Sequence, residues 1–118
     1  MATFSRLLLS GSTSGKPIPV TANATPGTVL HLAVAGSSAF DEVYVFASNV
    51  TASAATLYVQ WGGTTDPGDM LVKNYSIGAN SGPVPVAVGQ VVNGAVTVMA
   101  FCTAASAINV TGWVNRIS

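Results

Sequence analysis

The sequence predicts an all-β protein: a single-domain antiparallel β-sandwich of the jelly-roll type with about eight strands. Apolar and polar residues alternate with a period of two along much of the chain, which is the pattern of half-buried strands. Apolar residues make up 49% of the 118, and the abundance of Val, Ala and Thr is typical of strands rather than helices. Turn clusters rich in Gly, Asn, Pro and Ser separate the alternating segments, and no apolar stripe of helical period interrupts them.

Eight segments show the strand pattern and together fit one domain spanning residues 1–118. In chain order they are residues 4–9, 28–34, 42–46, 56–61, 70–77, 84–88, 96–100 and 107–114. The first contains Phe4 and Arg6 and ends at a turn rich in Ser and Gly. The third is apolar on both faces, which predicts a central strand covered on both sides or a strand at an intersubunit contact.

Residues 10–27 lack the alternation and are expected to form an extended arm or a long loop. Pro17, Pro19 and Pro26 lie here, and each proline removes a hydrogen-bond donor from a strand ladder. An arm of this kind can reach a neighbouring subunit, so Lys16 and Pro17 are candidate contact residues.

The fourth and last strands each place an aromatic residue opposite their aliphatic side. Leu57 and Val59 point to one face and Tyr58 to the other, and Val110 and Trp113 are divided in the same way. Such aromatic residues can stack on sugars, which leaves a carbohydrate-binding module as an alternative function. Interfaces favour the same residue types, so we predict interface contacts for Tyr58 and Trp113.

Residues 84–103 are strongly apolar and uncharged, as a membrane span would be. Polar and turn-forming residues nevertheless interrupt them, including Pro85, Gly89, Asn93 and Gly94. A spanning helix needs an unbroken apolar run of about 20 residues. The interruptions predict two strands joined by a turn, and no membrane partner is expected.

Charged residues are scarce throughout the chain. Asp, Glu, Lys and Arg make up only 7% of the sequence, with four acids balancing four bases, whereas about a quarter is usual. No charged residue lies between Lys73 and Arg116, and the outward positions of the strands in that stretch are neutral too. We expect this half to form much of a protein contact surface. The candidate interface residues are Phe4, Arg6, Lys16, Pro17, Tyr58, Trp113, Arg116 and Ile117.

Few residues are suited to catalysis or metal binding. His31 lies between Leu30 and Leu32 in a predicted strand, so the two leucines are expected on one face and His31 on the other, as a polar-face or hydrogen-bonded residue. Cys102 is expected to be a small buried hydrophobe. Asp66 and Asp69, in the loop 62–69, could contribute to a calcium site, but Asp and Gly are also ordinary turn residues. The four bases are scattered and predict no nucleic-acid interface. We therefore predict a protein that is not an enzyme and has no cofactor or metal.

Four segments together resemble small tailed-bacteriophage virion structural proteins of the capsid decoration, or cement, type. They are FSRLLLSGSTSGKPIPV, DEVYVFASNVTASAATLYVQWGGTTDP, IGANSGPVPVAVGQVVNGAVTVMAF and INVTGWVNRI. The resemblance covers nearly the whole chain and carries no catalytic signature, and no functional residues can be transferred from it.

The resemblance implies a β-sandwich that binds the outside of an icosahedral shell where capsomers meet. The expected partners are the major capsid protein and further copies of this chain, in a homotrimer or another homo-oligomer. The protein would be made in the cytoplasm of the bacterial host and located on the capsid exterior of the virion. Families of this type are not sharply separated from head-fibre, tail and baseplate components, so a structural role in those parts of the virion is an alternative.

Overall fold

Nine antiparallel strands form the structure, a computed structural model that describes residues 2–118 and contains no helix among them. Eight strands correspond to the predicted segments, and the additional one is the two-residue β2. In chain order they are β1 (Phe4–Leu8), β2 (Ile18–Pro19), β3 (Thr28–Leu32), β4 (Phe40–Asn49), β5 (Ala55–Trp61), β6 (Met70–Ile77), β7 (Val84–Val92), β8 (Thr97–Cys102) and β9 (Ile108–Ile117).

The strands form two sheets whose order is that of a jelly roll. Sheet A runs β1-β9-β4-β7, with β2 also paired to β9, and sheet B runs β3-β8-β5-β6. Because β1 and β2 pair with successive parts of β9, they act as one interrupted strand. Strand pairing is nested in the sequence: β1 and β2 pair with β9, β3 with β8, β4 with β7 and β5 with β6. This nested pairing confirms the predicted jelly-roll β-sandwich.

Residues 10–27 run along the edges of both sheets. Ile18 and Val20 are buried, and the N–H of Val20 donates to the carbonyl of Ile108 on β9. Two residues later, the carbonyl of Ala22 accepts from the N–H of Cys102 on β8 in the other sheet. The segment therefore passes from sheet A to sheet B while its backbone remains hydrogen-bonded.

The apolar core lies between the sheets and consists mainly of Val, Ala and Leu. On β4, Val43 and Val45 are buried in it, whereas Tyr44 and Phe46 lie half-buried on the outer face of sheet A. Both faces of this central strand are thus apolar, as its sequence indicates. Cys102 is fully buried as predicted, and burial raises the pKa of its thiol.

The apolar stretch from residue 84 to residue 103 forms two strands, as predicted. β7 and β8 are joined by a turn containing Asn93 and Gly94 and lie in different sheets. No helix among residues 2–118 has the length and apolar character needed to cross a membrane.

Gly112 is required where β9 pairs with β4 beside Tyr44 and Val45. A Cβ atom at this position would run into the carbonyl oxygen of Tyr44, and a backbone atom in the middle of a sheet cannot move aside as a flexible side chain can. We expect Gly112→Ala to lower the free energy of unfolding, measured by urea denaturation, by about 1 to 3 kcal/mol. Gly78→Ala is the control, because its Cβ would meet nothing within 4 Å. Equal losses in the two variants would contradict this explanation.

Candidate functional site

A buried polar network centred on Asp41 joins the two sheets. The guanidinium of Arg116 on β9 forms a bidentate ion pair with the Asp41 carboxylate. Its Nε donates to Oδ1 at 2.7 Å and its Nη2 donates to Oδ2 at 3.0 Å. Nε2 of His31 on β3 lies 2.8 Å from the same Oδ2, and the N–H of Val34 also donates to it at 3.1 Å. Since β3 belongs to sheet B and β4 and β9 belong to sheet A, one carboxylate connects both layers.

His31 has both ring nitrogens engaged in this network. The N–H of Ser10 donates to Nδ1 at 3.1 Å, so the ring hydrogen is on Nε2 and donates to Asp41. The Ser10 hydroxyl oxygen instead accepts from the N–H of Leu32. A serine nucleophile would need its hydroxyl on the imidazole. The Ser, His and Asp side chains therefore form a structural network, and the prediction of a satisfied histidine is confirmed.

A bulge in β3 determines how His31 reaches the interior. The register between β3 and β8 shifts between Val29 and His31, and Leu30 and His31 are both buried while Leu32 is exposed. Strict alternation would place the two leucines together on the face opposite His31, and that expectation is wrong. The extra residue of a bulge turns neighbouring side chains to the same side, which the simple period does not include.

The environment of Asp41 holds its carboxylate in the charged form. Burial raises the pKa of this group, but hydrogen bonds from Arg116 and His31, the charge of Arg116 and the N–H of Val34 together outweigh burial. The pKa of Asp41 consequently lies below its ordinary value. The same contact raises the pKa of Arg116.

The outer face of sheet A, hereafter the sheet A face, is largely apolar and aromatic. Three rows of side chains cross β1, β9 and β4 in register. The rows are Phe4–Ile117–Phe40, Arg6–Asn115–Glu42 and Leu8–Trp113–Tyr44. Val88 and Val91 continue the face on β7, where they pair with Tyr44 and Glu42. Phe4 is 70% exposed, and Leu8, Phe40, Val88 and Val91 are exposed as well.

Trp113 lies at the middle of the sheet A face, packed between the neighbouring strands. Its ring stacks on Tyr44 at 4.8 Å between centroids and on Phe46 at 5.9 Å, both from β4. From β1, on the other side, the Arg6 guanidinium lies 5.7 Å from the ring centroid. The indole Nε1 is shielded and has no hydrogen-bond partner among residues 2–118. These contacts occupy the ring, which is therefore not a free platform for a sugar.

The outer face of sheet B, hereafter the sheet B face, carries no charged residue on three of its four strands, and β6 carries Lys73. Tyr58 stacks on Phe101 at 4.6 Å, and its hydroxyl donates to Oδ1 of Asn74 at 2.6 Å. Val29 and Leu32 are exposed on the same face. No Asp, Glu, Lys or Arg occurs on β3, β5 or β8.

The candidate interface residues fall into three groups. Phe4, Arg6, Trp113 and Ile117 come together on the sheet A face, whereas Tyr58 lies on the sheet B face. The remaining three are Lys16 and Pro17, which are exposed before β2, and Arg116, whose guanidinium turns inward to Asp41.

The structure adds Phe40, Glu42 and Tyr44 of β4 to the sheet A face, although none was among the candidates. Their signal in the sequence is that β4 is apolar on both faces. That pattern marks a strand with a second surface to cover, but it does not indicate which other strands share that surface.

The loop 62–69 uses its carboxylates within the protein. Asp66 pairs with Lys73 at 2.8 Å, and Asp69 accepts the N–H of Thr65 at 3.0 Å. Within the described part of the chain, residues 2–118, no group of three or more His, Cys, Asp or Glu side chains is arranged to hold a metal ion.

Asp41→Asn tests how strongly the buried network stabilises the fold. The substitution keeps the shape but removes the charge opposite Arg116, and breaking a buried pair typically costs about 3 kcal/mol or more. We expect a loss of about 3 kcal/mol in urea denaturation. Asp66→Asn makes the same change in the exposed pair with Lys73 and should cost less than about 1 kcal/mol. A loss at position 41 no larger than at position 66 would refute the role of the network.

The stabilisation from Asp41 should disappear in acid. Because its pKa is lower in the folded protein than in the unfolded chain, the unfolded chain takes up the proton first as the pH falls below about 4. The difference in unfolding free energy between wild type and Asp41→Asn should therefore shrink from about pH 5 to about pH 2. Urea denaturation of both proteins across this range measures it. A difference that stays constant would show that the charge of Asp41 is not responsible.

Comparisons of this chain with protein-family models, with curated proteins and with solved structures find no match.

Proposed function

We propose that this chain is a non-enzymatic structural protein of a tailed-bacteriophage virion, which decorates the capsid and stabilises it as a cement protein. The observation that carries the proposal is that both outer faces of the sandwich are almost uncharged and expose large apolar side chains. Contiguous apolar surface marks sites of protein interaction, and proteins that remain separate in solution usually expose mixed charges. The resemblance of the sequence to capsid decoration proteins is the reason for proposing a phage capsid as the assembly.

A cement protein must contact both the shell and neighbouring protein, and a β-sandwich offers two opposite faces for these contacts. We assign the sheet B face to the major capsid protein, because β3, β5 and β8 carry no charged residue. Burial of apolar surface contributes roughly 25 cal/mol per Å². Opening the shell would then require these contacts to break at every capsomer junction that the protein covers.

The buried network supports this role mechanically. Asp41 links β3 of one sheet to β4 and β9 of the other, and this link opposes sliding of one sheet over the other. A rigid body that binds on both sides transmits load between its partners without first deforming.

Head-fibre, tail and baseplate components could use the same surfaces. The number of copies per particle distinguishes these roles, since hundreds of copies indicate the shell and a handful indicate the other parts.

Shells of the source phage that lack this protein provide the test. Adding purified protein should raise the temperature at which the shells open, measured by fluorescence of a dye that reaches the released DNA. Leu32→Lys should abolish the effect, because it would bury an unpaired charge at the sheet B face. Thr64→Lys, in the loop that already carries Asp66 and Asp69, should leave it intact. No rise with the wild-type protein would contradict the proposed stabilisation, and a full rise with Leu32→Lys would contradict the assigned face.

A further inference from the structure

We propose that the sheet A face binds the same face of a second copy of this chain, around a two-fold axis roughly parallel to β9. This inference goes beyond the virion role and does not depend on it, because it concerns the purified protein alone. Three properties of the face support it, namely its size, the placement of its two charged side chains and the apolar residues on either side of them.

The sheet A face approaches the size that a stable dimer needs. Five of the nine large hydrophobic residues that the structure exposes lie on it: Phe4, Leu8, Phe40, Val88 and Val91. A two-fold axis along β9 superposes β1, β9 and β4 on β4, β9 and β1 of the second copy, and β7 lies beside this overlap. Three strands of up to ten residues cover about 480 Å² in projection, and protruding side chains increase the accessible area. A standard interface buries about 800 Å² on each partner, so the face approaches the size of a standard interface.

Among the described residues, Arg6 and Glu42 are the only charged side chains on this face. Neither has an ion-pair partner among residues 2–118. Both are in register with Asn115 of β9, Arg6 on the β1 side and Glu42 on the β4 side. They therefore lie at equal distances, about 4.8 Å, on opposite sides of β9.

This placement makes the face complementary to itself in charge. A two-fold axis along β9 exchanges the β1 and β4 sides, so Arg6 meets Glu42 of the second copy and the reciprocal pair forms by symmetry. A two-fold axis across the strands would instead place Arg6 on Arg6 and Glu42 on Glu42. Like charges in an interface cost several kcal/mol, so the charge pattern selects the axis along β9.

The same axis matches the apolar rows. Phe4 meets Phe40 of the second copy, and Leu8 meets Tyr44 of the second copy. An open surface depression of about 200 Å³ lies beside Phe40, lined also by Val91, Val92 and Asn93. An enclosed cavity of about 150 Å³ accommodates benzene, so the depression has room for part of the Phe4 side chain, which is mostly exposed in the single copy.

The proposed packing also agrees with the geometry of β-sandwiches. A two-fold axis parallel to β9 leaves the strands of the two copies nearly aligned, apart from the rotation that sheet twist introduces. Sheets that pack face to face usually cross at about 30° in this way. The dimer would continue the layered arrangement of the monomer, with two sheet A layers at its centre.

Sedimentation equilibrium of the purified protein tests the proposal. We expect the wild type to be a dimer. Arg6→Glu and Glu42→Arg should each raise the Kd about tenfold or more, because like charges would then face each other. The double variant should restore the wild-type Kd within about threefold, since both pairs are re-formed with exchanged signs. Lys73→Glu is the control, an identical charge reversal on β6 outside the sheet A face, and it should leave the dimer unchanged.

A monomeric or trimeric wild type would overturn the proposal, as would single reversals without effect or a double variant that stays dissociated. Circular dichroism establishes that each variant is folded. If a reversal unfolds the chain, salt dependence replaces it as the test: the Kd of the wild type should rise with salt, and that of Arg6→Gln with Glu42→Gln should not. Equal salt dependence in both would again overturn it. Because no shell is present, this outcome is independent of whether the protein binds a capsid.

Discussion

The interaction on which the rest of the structure depends is the buried contact of Asp41 with Arg116 and His31. A buried carboxylate is stable only when it is paired and hydrogen-bonded, and here it receives its partners from β3, β9 and the chain that follows β3. The contact determines which side of β4 faces the core. A slip of one residue would turn every side chain to the other face and bury Glu42 in place of Asp41.

The outer surface follows from this buried constraint. With Asp41 directed inward, Glu42 points outward beside Asn115 and in line with Arg6. Tyr44 then stacks on Trp113, and the aromatic centre of the sheet A face is assembled from two strands that are far apart in the chain. Glu42 points outward because Asp41 points inward, so the charge pattern proposed for the two-fold contact depends on the register that Asp41 sets.

The two neutral faces are suited to different contacts. The sheet A face carries one base and one acid in a self-complementary arrangement, which favours a copy of the same chain. The sheet B face has no charged residue on three of its strands and therefore no such preference for itself. A protein that binds its own copy through one layer and a lattice through the other would link neighbouring lattice positions, which is the physical requirement for a cement.

The sequence alone determined the all-β class, the positions of eight strands and the burial of Cys102, because alternation, turn residues and the side preferences of apolar residues are local properties. It also indicated that β4 has two apolar faces. Only the tertiary structure decided that Asp41 meets His31 and Arg116, and that Phe4 and Arg6 share a face with Trp113. These contacts depend on the order in which strands pair and on the bulge in β3. Neither is encoded in the period of a single strand, since both arise when distant segments pack together.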